Sequence, residues 1–229
     1  MFGKQRKETK TYGIIGMGRF GSSLTRELAK SGAEIIVLDR DEDKIRKARE
    51  LTENAMVTNT LDKDVLRDTG IQNCDVVIVC IGSHMESSIL TTLNLVAMGI
   101  PEVIAKATSP EHGEILKRLG AKVVYPEQDM AVRLANCLET SQVIDFIKLS
   151  EKVNISKLAV PKKLVGHTIL EMNFRAKFGL NIIAIENKES VMEDVRPEYE
   201  LRQNAILYIS GSEEGMLHLT DWIEKEKNS

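Results

Sequence analysis

The sequence predicts an α/β protein: a doubly wound parallel sheet of six strands, a crossover helix, and a small α+β C-terminal domain. Three observations predict it. Apolar runs of strand length alternate with helix-period stripes from residue 11 to residue 138. The first run, Tyr12 to Ile15, feeds a glycine turn, Gly16-Met17-Gly18-Arg19-Phe20-Gly21, with a helix pattern behind it. Eighteen residues after Gly21, the second run ends on Asp39. Strand, G-x-G-x-x-G, helix, strand and acid together form the fingerprint of a dinucleotide-binding, Rossmann-like βαβ unit. In that pattern Gly16 permits the tight turn, Gly18 lets backbone approach a pyrophosphate, and Gly21 lets helix pack on strand. The phosphates lie on free amides at the helix N-terminus, and Asp39 accepts from ribose hydroxyls.

The elements follow in order. Phe20, Leu24 and Leu28, spaced by four, stripe the first helix, and Gly32 stops it. Ile35 to Leu38 is the second strand. Ile45, Ala48 and Leu51 mark the second helix, with Asp41, Glu42 and Asp43 at its positive end. Ala55 to Val57 is a short third strand, and Val65 and Leu66 mark a short helix closed by Gly70. Val76 to Cys80, β-branched throughout its start, reads as a strand buried on both faces. Ile89, Leu90, Leu93, Val96 and Ala97 make a long helix ended by Gly99 and Pro101. Val103 to Ala105 is strand five; Ile115, Leu116 and Leu119 lie on a helix stopped by Gly120; Val123 to Tyr125 is strand six. After Pro126, Ala131, Leu134, Ala135 and Leu138 form a helical stripe with no further α/β unit behind it.

From about Ser141 the pattern changes. Strand-like segments run Val143 to Leu149, Val153 to Val160, Leu180 to Ile185 and Ile206 to Ile209. One small helix is expected near Thr168 to Phe174, and a last helix carries Met216, Leu219, Trp222 and Ile223. The domains are therefore expected at 11–138 and 143–226, the second too short for the catalytic domain of a dehydrogenase.

Composition narrows the classes. With 229 residues, 42% hydrophobic and 28% charged, the chain has the make-up of an ordinary globular protein. A net charge of −3 gives no general attraction to nucleic acid or anionic lipid. No apolar run approaches the ~20 residues that span a bilayer, and Met1 to Lys7 carries no apolar signal region, so a cytosolic protein is expected. Lys4, Arg6, Lys7 and Lys10 read as a solvated basic tail. Cys74, Cys80 and Cys137 form no C-x-x-C pair and read as reduced, buried side chains.

A reaction centre is not visible. His84, His112, His167 and His218 sit in no catalytic constellation, and only His84, just after strand four, falls near the expected ligand. The sequence has no H-E-x-x-H, no G-x-S-x-G and no Walker lysine. A nucleotide site without a reaction centre favours a sensor. Arg19, inside the glycine loop, is placed to reach phosphates with a planar fork and to separate a triphosphate from a diphosphate. The rival is a small NAD-dependent oxidoreductase. Asp39 suits NAD(H) as it suits any adenosine with free ribose hydroxyls, and Arg40 raises NADP. A DNA-binding repressor is disfavoured by the lack of a helix-turn-helix segment or a strongly basic patch.

Gly-Met-Gly-Arg-Phe-Gly, Asp39, Val-Ile-Val-Cys-Ile-Gly (77–82), Ala-Lys-Ala (105–107), Leu-Gly-Ala-Lys-Val-Val-Tyr-Pro-Glu-Gln-Asp-Met-Ala (119–131) and Arg-Ala-Lys-Phe-Gly-Leu-Asn-Ile (175–182) resemble the cytosolic regulatory subunits of Ktr/Trk-type potassium uptake systems. The resemblance covers residues from about 11 to 225. It implies an N-terminal and a C-terminal regulator-of-K+-conductance (RCK) domain. It implies a homo-oligomer, dimers assembling into an octameric ring beneath a membrane-embedded potassium channel or transporter, with the helix after Pro126 crossing to a second subunit. ATP and ADP then favour different ring shapes. Carried over by residue, Gly16, Gly18, Arg19 and Gly21 would contact phosphates and Asp39 the ribose, with Met17, Phe20 and Arg40 also among the cofactor-binding positions. Asn59 and Thr60 would lie on the adenosine side, Ile81 and Gly82 would flank the nucleotide, and Lys106 would lie near it. Asn59 stands where many relatives carry Asp. Glu127 would sit at a subunit junction near a divalent or sodium cation. Ile169, Arg175, Asn181 and Ile182 match positions that line a cyclic di-AMP site in many relatives. The resemblance implies no nucleic-acid partner and no direct membrane insertion, but a cytoplasmic protein held at the membrane through its partner.

Overall fold

The computed structural model describes residues 10–139, 143–150, 152–188 and 190–225. The basic residues Lys4, Arg6 and Lys7 of the expected tail, and residue 226 at the expected end of the second domain, lie outside them. The chain divides into two compact units that meet between Pro126 and Glu127.

In the first unit β1 (Thr11–Ile15), β2 (Glu34–Asp39), β3 (Ala55–Val57), β4 (Val76–Val79), β5 (Glu102–Lys106) and β6 (Lys122–Val124) form one sheet in the order β3-β2-β1-β4-β5-β6. Every pairing is parallel. Between them run α1 (Arg19–Lys30), α2 (Glu42–Ala48), α3 (Lys63–Asp68), a 3-10 turn at Ile71–Asn73, α4 (Met85–Ala97) and α5 (Pro110–Arg118). The order reverses between β1 and β4, and in such sheets ligands lie at the carboxyl ends of the strands flanking that reversal.

The apolar runs are continuous because both faces of each strand are covered. Ile14, Val37, Val76 and Ile78 pack into one core with Leu24 and Leu28 of α1 and Ile45 of α2. Ile15, Leu38, Val77 and Val79 pack into the other with Leu66 of α3, Leu95 of α4 and Leu116 of α5. Helices α2, α3 and α5 start on side-chain caps. Asp41 caps α2 by accepting from Asp43 N and Lys44 N, Asp62 caps α3, and Ser109 caps α5 with Pro110 in its first turn.

The second unit contains nearly all of α6 (Pro126–Glu139), then β7 (Val143–Lys148), β8 (Asn154–Ala159), α7 (Ile169–Met172), α8 (Phe174–Phe178), β9 (Asn181–Glu186), β10 (Val191–Met192), β11 (Ile206–Gly211) and α9 (Glu213–Glu224). Its five strands form an antiparallel sheet ordered β10-β9-β11-β8-β7. Leu158, Leu207 and Ile185 of the sheet pack against Phe174 of α8 and Met216, Leu219 and Ile223 of α9. The single small helix expected near Thr168 to Phe174 is two helices. Thr168 and Glu171 close a capping box on α7, and Asn173 then enters the left-handed region at φ 45° and breaks the helix before α8. Asn is one of the few non-glycine residues that adopts that conformation at low cost. The expected stripe on α6 is present, with Leu134 55% and Leu138 74% exposed in the single chain.

Candidate functional site

The glycine loop joins β1 to α1, and each of its glycines has a separate physical reason. Gly16 has φ +99°, and its N–H donates to the Leu38 carbonyl at 2.8 Å, tying the loop to β2. Gly18 caps α1 from an extended conformation without a side-chain bond, and a Cβ built on it would meet no atom within 4 Å. The space above Gly18 is therefore open, as close backbone approach to a phosphate requires. Gly21 is closed: a Cβ there would stand 2.0 Å from the Gly16 carbonyl oxygen.

Asp39 ends β2 and is buried. Its Oδ2 accepts from Met17 N and lies 3.7 Å from Lys44 Nζ, and its Oδ1 accepts from Asp41 N at 2.9 Å. The acid thus fixes the glycine loop at the carboxyl end of β2. A carboxylate offers roughly four acceptor positions, so its outer edge keeps capacity for ribose hydroxyls. Met17 sends its side chain into the core, where its sulfur accepts from Thr25 Oγ1 at 3.5 Å, and Phe20 packs half-buried against the same cluster. These two residues offer a ligand backbone rather than side chain. Arg19 is exposed at the first position of α1.

Around this centre the other expected residues fall on neighbouring strand ends. Asn59 and Thr60 are exposed just after β3, with Thr60 Oγ1 donating to Asp62 Oδ2 at 3.0 Å. Ile81 and Gly82 follow β4. Lys106 ends β5, mostly buried, and a Cβ built on Gly82 would stand 3.6 Å from its Nζ. Arg40 follows Asp39, and its Nη2 lies 3.2 Å from His84 Nε2. Arg19, Arg40 and Lys106 therefore stand at or just beyond the carboxyl ends of β1, β2 and β5, on the same edge of the sheet as Asp39, a charge balance that suits an anionic ligand with hydroxyls.

Burial pushes the Cys80 thiol up to about 12, against a smaller opposing pull from Lys106, and burial pushes Cys74 up to about 11. Thiols so protonated are inert. All three cysteines are free. His112 is fully buried, and burial holds its imidazole below the usual range; its Nδ1 faces Thr108 N at 3.3 Å. His167 lies 3.8 Å from Glu171, and His218 is exposed on α9.

Glu127 is exposed in the first turn of α6, in the second unit. Among the described residues no group of three His, Cys, Asp or Glu side chains could hold a metal ion. The other four expected residues fall in the stretch α7–α8–β9. Arg175 and Asn181 are exposed, whereas Ile169 and Ile182 pack half-buried against the second core. Among the described residues no helix is long and apolar enough to cross a membrane.

Fold and site together define a nucleotide-binding, Rossmann-like domain joined to a small α+β domain. Residues 12–126 match the TrkA-N domain and residues 155–224 match the TrkA-C domain. The chain is 36% identical over 204 residues to Ktr system potassium uptake protein C of Bacillus subtilis, covering 89% of this chain and 92% of that protein. It is 34% identical over 207 residues to Ktr system potassium uptake protein A of the same organism, covering 90% and 93%. A crystal structure of the GsuK RCK domain superposes with a TM-score of 0.51 at 25% identity, over 94% of this chain and 47% of that one, so the chain spans about half of its length. This chain belongs to the TrkA-N/TrkA-C family. That membership groups it with potassium-uptake proteins and not with nicotinamide oxidoreductases.

Proposed function

We propose that this chain is the nucleotide-sensing regulatory subunit of a potassium uptake system, binding ATP or ADP on the glycine loop and controlling a separate membrane-embedded channel or transporter. The observation that carries the reading is the open space at Gly18, in a glycine loop tied to Asp39 at the same sheet edge that carries Arg19, Arg40 and Lys106. The domains at 11–138 and 143–226 act as sensor and second module. The exposed apolar face of α6 (Leu134, Leu138) is the surface through which copies join into a dimer and then a ring. The chain works in the cytoplasm, held at the membrane by its partner. A cation at Glu127 would be completed by groups from a neighbouring copy.

The physical mechanism is linkage. A nucleotide shifts a two-state ring only by its difference in affinity for the two shapes. One extra charge-assisted contact, Arg19 to a terminal phosphate, is worth ~1.5–3 kcal/mol, and several sites per ring multiply that bias. Arg19→Ala is expected to keep the fold and to weaken ATP roughly tenfold more than ADP, read by calorimetric titration. Equal losses for the two ligands would remove Arg19 as the discriminator. Titrating ATP, ADP and NADH while recording the mass in solution tests the whole reading, which fails if no nucleotide binds or if the chain stays monomeric whatever is added.

The second unit is proposed to bind cyclic di-AMP, with Arg175 at a phosphate and Ile169, Asn181 and Ile182 beside it. Arg175 is exposed and Ile182 is carried to the same unit's core by a bulge in β9. Arg175→Ala is expected to lower cyclic di-AMP affinity at least about tenfold. Radiolabelled ligand that binds both proteins alike would reject the site.

A further inference from the structure

We infer that Arg40 and His84 form a phosphate clasp across the glycine loop, with Arg40 touching the ligand and His84 positioning it. The inference rests on the nucleotide-binding reading above. Arg40 follows β2 and His84 precedes α4, which follows β4. β1 lies between β2 and β4 in the sheet. A contact between these two side chains therefore has to cross the carboxyl end of β1, where Gly16 to Gly21 turn. The contact exists: Arg40 Nη2 lies 3.2 Å from His84 Nε2. It turns the guanidinium toward the phosphate loop and away from the β3 side, where Asn59 and Thr60 mark the adenosine end.

Three further observations bear on this contact. Both residues are exposed, so the contact adds little to stability while it costs two side chains their rotamer freedom. His84 occupies the N-cap position of α4 yet makes no side-chain cap bond. The cap position favours Ser, Thr, Asp or Asn; here the side chain serves Arg40 instead. And at the head of the loop a Cβ built on Gly18 would meet no atom within 4 Å, which leaves room for a phosphate. A guanidinium has five N–H donors. One held by the imidazole leaves the others to meet phosphate oxygens in a fixed orientation, as bidentate recognition requires. The ligand class is any nucleotide carrying at least a diphosphate at the loop.

The test is binding of ADP and of adenosine to the full chain and to Arg40→Ala, His84→Ala, His84→Gln and the double alanine variant. Arg40→Ala is expected to weaken ADP roughly tenfold and adenosine less than about twofold. His84→Ala should weaken ADP roughly threefold, and His84→Gln, whose amide oxygen can accept from the guanidinium, should recover most of that. Because His84 acts through Arg40, the double variant should bind ADP about as Arg40→Ala does. Equal losses for adenosine and ADP, unchanged ADP affinity, or a double variant carrying the product of the two single effects would each overturn the clasp. Wild type that binds ADP while the variants match it rejects the clasp alone; wild type that binds no nucleotide rejects the proposed function with it.

Discussion

Gly21→Ala is expected to unfold the first unit, with a loss of at least ~3 kcal/mol of stability. Gly21 lies inside α1, where alanine would ordinarily gain about 1 kcal/mol over glycine. The clash outweighs that gain. The new Cβ would stand 2.0 Å from the Gly16 carbonyl oxygen and 3.3 Å from the Cys80 Cβ. Neither neighbour can retreat cheaply. Gly16 is held in a left-handed conformation and hydrogen-bonded to Leu38, and Cys80 lies in the core beside β4. Gly18→Ala is the control. Its Cβ meets nothing within 4 Å, so its urea midpoint should stay near wild type, while ADP affinity falls because the methyl occupies the space that a pyrophosphate needs. Urea melts of both variants, followed by ADP titration of the folded one, check the pair. A Gly21→Ala protein with the wild-type midpoint would mean that α1 does not pack on β1 as described.

The first unit was legible because its signals are local and redundant. Each buried strand is a β-branched run covered on both faces, so Val76 to Val79 reads as a strand whichever residue faces which helix. The glycine loop and Asp39 were legible because backbone geometry demands those residue types. The second unit was less so. In β9 the register steps from Tyr208↔Ala184 to Ile209↔Ile182, leaving Ile183 as the extra residue, 41% exposed. This bulge lets Ile182 and Ile185, three positions apart, share the core face, where a period of two would separate them. β7 does the same at Ile144. Asn173 carries a helix break in a residue type that is usually unremarkable. Gly13 in β1 has its reason far away in the sequence. A Cβ there would stand 2.8 Å from Ile71, so the glycine lets the 3-10 turn lie against the sheet. The Arg40–His84 contact was out of reach for a different reason. It joins residues 44 apart, and only the strand order makes them neighbours.

Asp39→Asn is expected to damage fold and binding together, and equally for every adenine nucleotide. In the folded protein both carboxylate oxygens accept backbone N–H groups, from Met17 and from Asp41. An asparagine can satisfy only one of them; its amide nitrogen would point a donor at the other donor. If Met17 N–H loses out, the glycine loop keeps the Gly16–Leu38 bond but loses its second tie to β2, at a cost of about 1–3 kcal/mol for a buried unpaired donor. The ion pair with Lys44 adds little to this ledger, because at 3.7 Å and with the lysine side chain 44% exposed it is screened by solvent. On the ligand side the variant gives up a charged acceptor for ribose hydroxyls, roughly tenfold or more in affinity. ATP, ADP and NADH share that ribose, so their affinities should fall by the same factor, whereas Arg19→Ala should split ATP from ADP. The two variants thus separate the part of the site that holds adenosine from the part that reads the phosphate chain. A melting temperature lowered by Asp39→Asn with ADP affinity intact would show that the acid only anchors the loop, and would move the ribose site elsewhere in the crevice.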